Sequence, residues 1–155
     1  MKFTNSLIKG KLLKRYKRFF ADIKVNNKII TAHCPNTGSM QGLLDQGNEV
    51  LVTEHNDPKR KLKFTLEIIK AKKRYVGVNT HRANKIVNHG LENKLISEFK
   101  TIKNIKPEFK FSDDTRFDFL CDNYLIEVKN VTLFRENNIA EFPDAITSRG
   151  TKHLN

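Results

Sequence analysis

The chain has 155 residues, 38% of them hydrophobic, which is enough apolar side chain to bury a core in one domain or two small ones. No apolar run approaches the roughly 18 residues of a membrane-crossing helix, and Lys9, Lys11 and Lys14 interrupt the start, so neither a transmembrane span nor a signal peptide is expected. The net charge of +12 is unevenly placed: residues 1–75 carry 17 Lys and Arg against 6 Asp and Glu, residues 76–155 carry 12 against 11. A general lysine bias would raise the count everywhere. An excess that stops midway predicts a basic, polyanion-binding module joined to a nearly neutral one. The two cysteines, Cys34 and Cys121, lie in unrelated segments without metal-ligand spacing, as expected of a reduced, cytoplasmic protein.

Short strands with turn signals fill the first half. Residues 7–13 and 19–25 read as strands, Asn26-Asn27 turns the chain into 28–34, and 49–53, 63–69 and 74–78 follow. So many strands without a long helix predict an OB-like β-barrel over residues 1–79. Residues 9–20 interleave Lys11, Lys14, Arg15, Lys17 and Arg18 with Tyr16, Phe19 and Phe20. Cations follow a phosphate backbone and rings stack on bases, so the expected partner is nucleic acid, DNA or single-stranded RNA. The alternative is that Phe19 and Phe20 are core and only the lysines face water. Lys59-Arg60-Lys61, after Asn56-Asp57-Pro58, reads as a basic loop. His33 and Cys34 cannot form a nucleophile pair, because strand neighbours point to opposite faces. Asn36-Thr37-Gly38-Ser39-Met40 reads as a tight turn needing Gly38, with a phosphate cradle as the alternative.

From residue 80 the character changes. Thr80 reads as a helix N-cap, Gly90 as a break, and Leu91, Leu95 and Phe99 as one stripe of a following helix. A strand over 105–111 precedes two more, 116–121 and 124–130, turned by Asp122-Asn123. That turn places Asp118 opposite Glu127. One face of the hairpin carries Phe117, Phe119, Cys121, Tyr124, Ile126 and Val128, and the other Arg116, Asp118, Leu120, Leu125, Glu127 and Lys129. Opposed carboxylates destabilise a sheet, so something positive belongs between them. A divalent cation, Mg²⁺ or Mn²⁺, answers that need, with Lys129 beside it to orient water or meet charge on a phosphate. Arg116 and Lys129 as a surface ion cluster answer it equally well. A last helix starts near Pro143, and Arg149, Lys152 and His153 share one of its faces, placed to meet phosphate or water.

Several blocks resemble the sugar fermentation stimulation protein A family. They are Arg15-Tyr16-Lys17-Arg18-Phe19, His33-Cys34-Pro35-Asn36-Thr37-Gly38, Val78-Asn79-Thr80 with Ala83-Asn84, Arg116-Phe117-Asp118-Phe119, and Ile126-Glu127-Val128-Lys129 with Val131-Thr132-Leu133. Phe142-Pro143-Asp144-Ala145 with Thr147, Arg149-Gly150 and Lys152-His153-Leu154 completes the set, in family order over almost the whole chain. The resemblance implies an α+β protein, an OB-like barrel followed by a PD-(D/E)xK nuclease-like α/β domain over 80–155. It also implies DNA binding and a regulatory role in sugar (maltose) metabolism. Carried over, Asp118 and Glu127 are metal ligands and Lys129 the catalytic lysine of a metal-dependent DNA endonuclease. Glu108 is implied as a further metal carboxylate, with Glu98 as its alternative. A non-catalytic DNA-binding regulator on the same scaffold remains the competing expectation. The family chain runs on past Leu154, so a C-terminally shortened member is expected.

Overall fold

The structure is a computed structural model that describes residues 2–134 and 139–141. They fall into two compact units, residues 81–129 and residues 2–80 with those from 130 onward.

The larger unit is built on six strands: β1 (Leu7–Tyr16), β2 (Phe20–Val25), β3 (Lys28–His33), β4 (Glu49–Glu54), β5 (Phe64–Ala71) and β6 (Arg74–Gly77). They pair in the order β3-β2-β1-β4-β5-β6, and a parallel pairing of β3 with β5 closes five of them into the expected OB-like barrel. Alternate residues point inward, where Leu12, Ile23, Val50, Val52, Leu66 and Ile69 are fully buried. β1 reaches Tyr16, beyond the predicted end at residue 13. A bulge between Leu12 and Lys14 absorbs the adjacent apolar pair Leu12-Leu13, so Lys14 and Tyr16 return to the outer face. A short ladder of β10 (Leu133–Phe134) with β11 (Ala140–Glu141) belongs to the same unit.

A 3-10 turn (Thr80–Arg82) leads into helix α1 (Ala83–Glu92) of the second unit, followed by a 3-10 turn at Ser97–Phe99. The antiparallel sheet β7-β8-β9 follows, from β7 (Ile105–Lys110), β8 (Arg116–Cys121) and β9 (Tyr124–Ile126). Leu91, Phe119 and Cys121 form its buried centre, with Val87, Phe99 and Ile126 packed around them. The molecule is therefore α+β. No helix among the described residues is long and apolar enough to cross a membrane.

Three expectations change here. Thr80 does not cap a helix: its hydroxyl donates to the Pro35 carbonyl, and Arg82 stands at the cap position, where its side chain makes no capping hydrogen bond. Gly90 lies inside α1, where a Cβ would sit 3.2 Å from the Ile96 side chain. Glycine serves close packing there, and the helix ends at Asn93-Lys94, with Lys94 at φ 54 and the Leu95 N–H on the Gly90 carbonyl. Leu95 consequently faces water, 68% exposed, off any helical stripe. The third predicted strand stops at Ile126 rather than residue 130. The last helix expected around Pro143 lies outside the described residues.

Gly10 marks the tightest crossing of the barrel, since a Cβ there would lie 2.5 Å from Ile23 Cγ2 and 3.0 Å from the Lys24 carbonyl oxygen. Both neighbours are fixed by β2. Gly10→Ala is expected to cost about 1–3 kcal/mol by overpacking, read from the midpoint of urea unfolding.

Candidate functional site

The β8–β9 hairpin turns at Asp122-Asn123 in the predicted register, with Cys121 opposite Tyr124, Leu120 opposite Leu125 and Phe119 opposite Ile126. Asp122 adopts φ 48, and its carboxylate accepts from the Lys103 N–H (3.1 Å), the Asn104 N–H (3.0 Å) and Asn104 Nδ2 (3.0 Å). The Lys103 and Asn104 amides hold this carboxyl below the ordinary aspartate range. The alternation is as expected: Phe119 and Cys121 are buried, and Ile126 and Val128 pack on the same cluster.

Pairing ends where Asp118 would meet Glu127. Instead the Asp118 carboxylate bridges two elements. Its Oδ1 accepts from Asn84 Nδ2 of α1 (2.6 Å), and its Oδ2 accepts the Val128 N–H (2.7 Å), a donor left over once β9 stops. Glu127 Oε1 pairs with the Lys129 ammonium, both side chains partly exposed. Glu108 lies on β7 between the pairs Pro107–Phe119 and Phe109–Phe117, in the left-handed region at φ 50. A non-glycine residue held there inside a strand is strained, which is commonest at functional positions. Its carboxylate points to Arg116, 3.8 Å away. An open cleft of about 430 Å³ is lined by Asn84, Asn88, Glu92, Pro107, Glu108 and Asp118. Glu98 sits on the 3-10 turn and accepts from the Ser97 hydroxyl, which lowers its pKa.

Among the described residues no group of three His, Cys, Asp or Glu side chains stands close enough to hold a metal. The donors present fit a looser arrangement. Each Asp118 oxygen has spent one lone pair and keeps another, and Mg²⁺ usually takes one or two carboxylates with waters and substrate phosphate. By donor chemistry Asp118 and Glu127 are hard oxygen ligands of the kind such an ion takes, and they do not form a closed protein cage.

On the barrel the six described cationic and aromatic candidates have different roles. Lys11 is exposed on β1. Lys14 is exposed, 3.6 Å from Asp22 and 5.3 Å from the Tyr16 ring centroid. Lys17 and Arg18 form the exposed β1–β2 turn at φ 47 and 61. Arg15 is structural: its Nε donates to the Arg18 carbonyl (3.0 Å) and its Nη2 to the Asn36 carbonyl (2.7 Å). The Asn36 side chain accepts the Gly38 N–H (2.8 Å), while positive φ in this loop falls at Met40 and Gly42. Tyr16 stacks on Phe20, and Phe19 on His33, while Cys34 on the other side is buried against Met40. Burial raises the Cys34 thiol pKa. Arg149 and Lys152 lie outside the described residues.

Sequence reasoning missed Asn84, Phe20 with His33 as neighbours, and the buried Glu67. Glu67 accepts from the Thr53 hydroxyl (2.8 Å) and Asn79 Nδ2 (2.9 Å). Asn84 carried a signal, since it stands beside Ala83 in one of the family-like blocks. Glu67 carried none.

A closed OB-like barrel followed by a small helix and a sheet, with Asp118 on β8 and Glu127 and Lys129 in the segment after β9, defines the class. Residues 13–78 match the SfsA N-terminal OB domain, and residues 81–155 the sugar fermentation stimulation protein RE domain. A sugar fermentation stimulation protein homolog of Pelagibacter ubique is 64% identical over 158 residues, covering 99% of this chain and 68% of its own length. The Alteromonas mediterranea homolog is 46% identical over 165 residues, 99% and 69% covered. The chain belongs to the sugar fermentation stimulation protein family. A solved structure, described as Pyrococcus furiosus SfsA in complex with Ca²⁺, superposes with a TM-score of 0.83 at 23% identity, over 99% of this chain and 66% of that one. This chain spans about two thirds of the length of these proteins.

Because the folded state depresses the Asp122 pKa, its contribution to stability is present above the ordinary aspartate value of about 3.9 and vanishes as pH falls through the lowered one. Melting temperatures of the wild type and Asp122→Ala are therefore expected to differ by a constant amount near neutrality and to converge below about pH 4.

Proposed function

We propose that this chain binds DNA through its basic barrel and hydrolyses phosphodiesters at a divalent-cation site on Asp118 and Glu127, assisted by Lys129. The carrying observation is the convergence at the end of β8. Asp118 is oriented there by Asn84 and the Val128 N–H, and the Glu127–Lys129 pair sits in the segment holding that N–H. The solved relative described with Ca²⁺ supports a hard-cation site in this fold. A bound Mg²⁺ or Mn²⁺ would supply Lewis acidity toward the phosphate and its attacking water. Asn84 and the Val128 amide keep Asp118 aimed. Lys129 would offer its ammonium to a phosphate oxygen as water adds to phosphorus and loses a proton to solvent, while the bridging P–O bond breaks and the departing oxygen takes a proton from solvent.

Incubation with supercoiled plasmid and Mg²⁺ or Mn²⁺ tests the reading. Cleavage is expected, reduced at least about hundred-fold by Glu127→Ala. Equal cutting by that variant, or none by the wild type, overturns it.

A second reading has its own observation. Both Asp118 oxygens and Glu127 are already hydrogen-bonded, with no three-donor metal group among the described residues. This favours a DNA-binding regulator, in the sugar metabolism of the family's name, that keeps the nuclease scaffold without the chemistry. It expects Asp118→Ala to bind DNA normally. In both readings the cations do the binding. Replacing Lys11, Lys14 and Lys17 with Gln is expected to weaken duplex binding and lower the slope of log K against log salt by roughly 2–3. Arg15 is spared because its loss would unfasten two carbonyls. An unchanged slope removes β1 from the interface.

A further inference from the structure

The outer face of the barrel carries a row of rings that DNA binding in general does not explain. Tyr16 pairs with Phe20, Phe20 with His33, and His33 with Thr65, so four neighbouring strands place one side chain each in a single row. Residues on opposed positions of paired strands share a face, and this is the face opposite the buried Leu12, Ala21, Ile23 and Ala32. The Tyr16 and Phe20 rings are near-parallel at 15°, centroids 5.4 Å apart. Phe19, in the β1–β2 turn and 44% exposed, lies over His33 at 6.4 Å and 21°.

The surroundings are cationic and ordered. One rung along, Asp22 accepts from the Tyr16 hydroxyl (3.2 Å) and the Thr31 hydroxyl (2.8 Å) and sits 3.6 Å from Lys14, whose ammonium also covers the Tyr16 ring. At the other end of the row Arg60 Nη2 donates to the Thr65 hydroxyl (2.8 Å), which ties a cation of the basic 59–63 loop to the Thr65 end of the row. Lys17 and Arg18 lie in the turn beside Phe19. Rings set between cations match a strand that offers phosphates and base faces together. A duplex hides its base faces and offers only phosphates and groove edges, so it could use the cations but not the rings.

We propose that the Tyr16–Phe20–His33 row, with Phe19 at its open end, stacks the unpaired bases of single-stranded DNA, the flanking cations meeting its phosphates. This rests on the DNA-binding reading above and adds the strand form.

Fluorescence anisotropy with the full chain and three labelled ligands tests it: an oligothymidine, an abasic oligomer of the same length, and a duplex. The oligothymidine is expected to bind at least about five-fold more tightly than the abasic strand, the effect of one stacked base. Phe19→Ala, on the exposed turn, and Phe20→Leu, which keeps bulk on the barrel, are expected to remove that advantage and leave the duplex unchanged. Equal affinity for the thymidine and abasic strands, or an equal loss on all three ligands, overturns the stacking row while leaving DNA binding in place. Binding to none of the three overturns both. An oligouridine that outcompetes oligothymidine overturns the assignment to DNA.

Discussion

The register of the β8–β9 hairpin is the constraint from which the rest of the second unit follows. A strand slipped by one residue turns every side chain to the other face, which would send Phe119 and Cys121 to water and Asp118 into the core. Asp122 prevents the slip. Its left-handed turn conformation is held by three donors from residues 103 and 104, immediately before β7, so the turn is tied to the start of the neighbouring strand. With the turn pinned, Asp118 has one position, level with the end of β9. The strand stops at Ile126, and the freed Val128 N–H finds the Asp118 carboxylate. A carboxylate aimed in this way by a helix amide and a backbone N–H is preorganised, so aiming it adds no cost when a ligand arrives.

Basic residues of similar appearance do different work in the barrel. Arg15 spends its guanidinium on two carbonyls and fixes the β1–β2 turn against the loop after β3. Lys14 is divided between Asp22 and the Tyr16 face. Lys11, Lys17 and Arg18 stand in water, where an exposed cation contributes little to folding and remains available to an anion. The bulge after Leu12 makes this division, because without it Lys14 would point into the core.

The sequence showed some of this clearly. Alternation and turn residues read the barrel strands and the hairpin register, because a period of two with Asn-Asn or Asp-Asn between runs is local information. Non-local packing decided what was misread. Gly90 looks like a helix breaker until Ile96 is seen pressed against it, and Leu95 fits a helical stripe until the chain reverses at Lys94. The alternation of β9 carries on to residue 130, but Asp118 accepts the Val128 N–H and the ladder ends at Ile126. Lys14 to Phe20 read as a cationic-aromatic mixture, yet the ring row needs His33 from a third strand, and no spacing along the chain shows it. Glu67 looks like any strand glutamate, and only the Thr53 and Asn79 partners explain a carboxylate that is 2% exposed.

Charge placement joins these observations. The cleft beside Asp118 carries Glu92 and Glu108 together with Lys85 and His89, and the hairpin cations Lys129 and Arg116 each face a carboxylate. Residues 76–155 carry a net charge of +1, so they offer a polyanion little long-range attraction, whereas residues 1–75 carry +11. On the proposed reading, affinity for DNA would therefore come from the barrel and fall with salt as counterions compete. A phosphate entering the cleft would then meet Asp118, Glu92 and Glu108 as well as Lys85, and a cation at Asp118 would relieve the repulsion of the carboxylates. A divalent ion between Asp118 and a phosphate would turn that repulsion into the selective step. On that reading binding and chemistry separate onto different charges, barrel cations that would hold DNA and carboxylates that would accept a phosphate with metal.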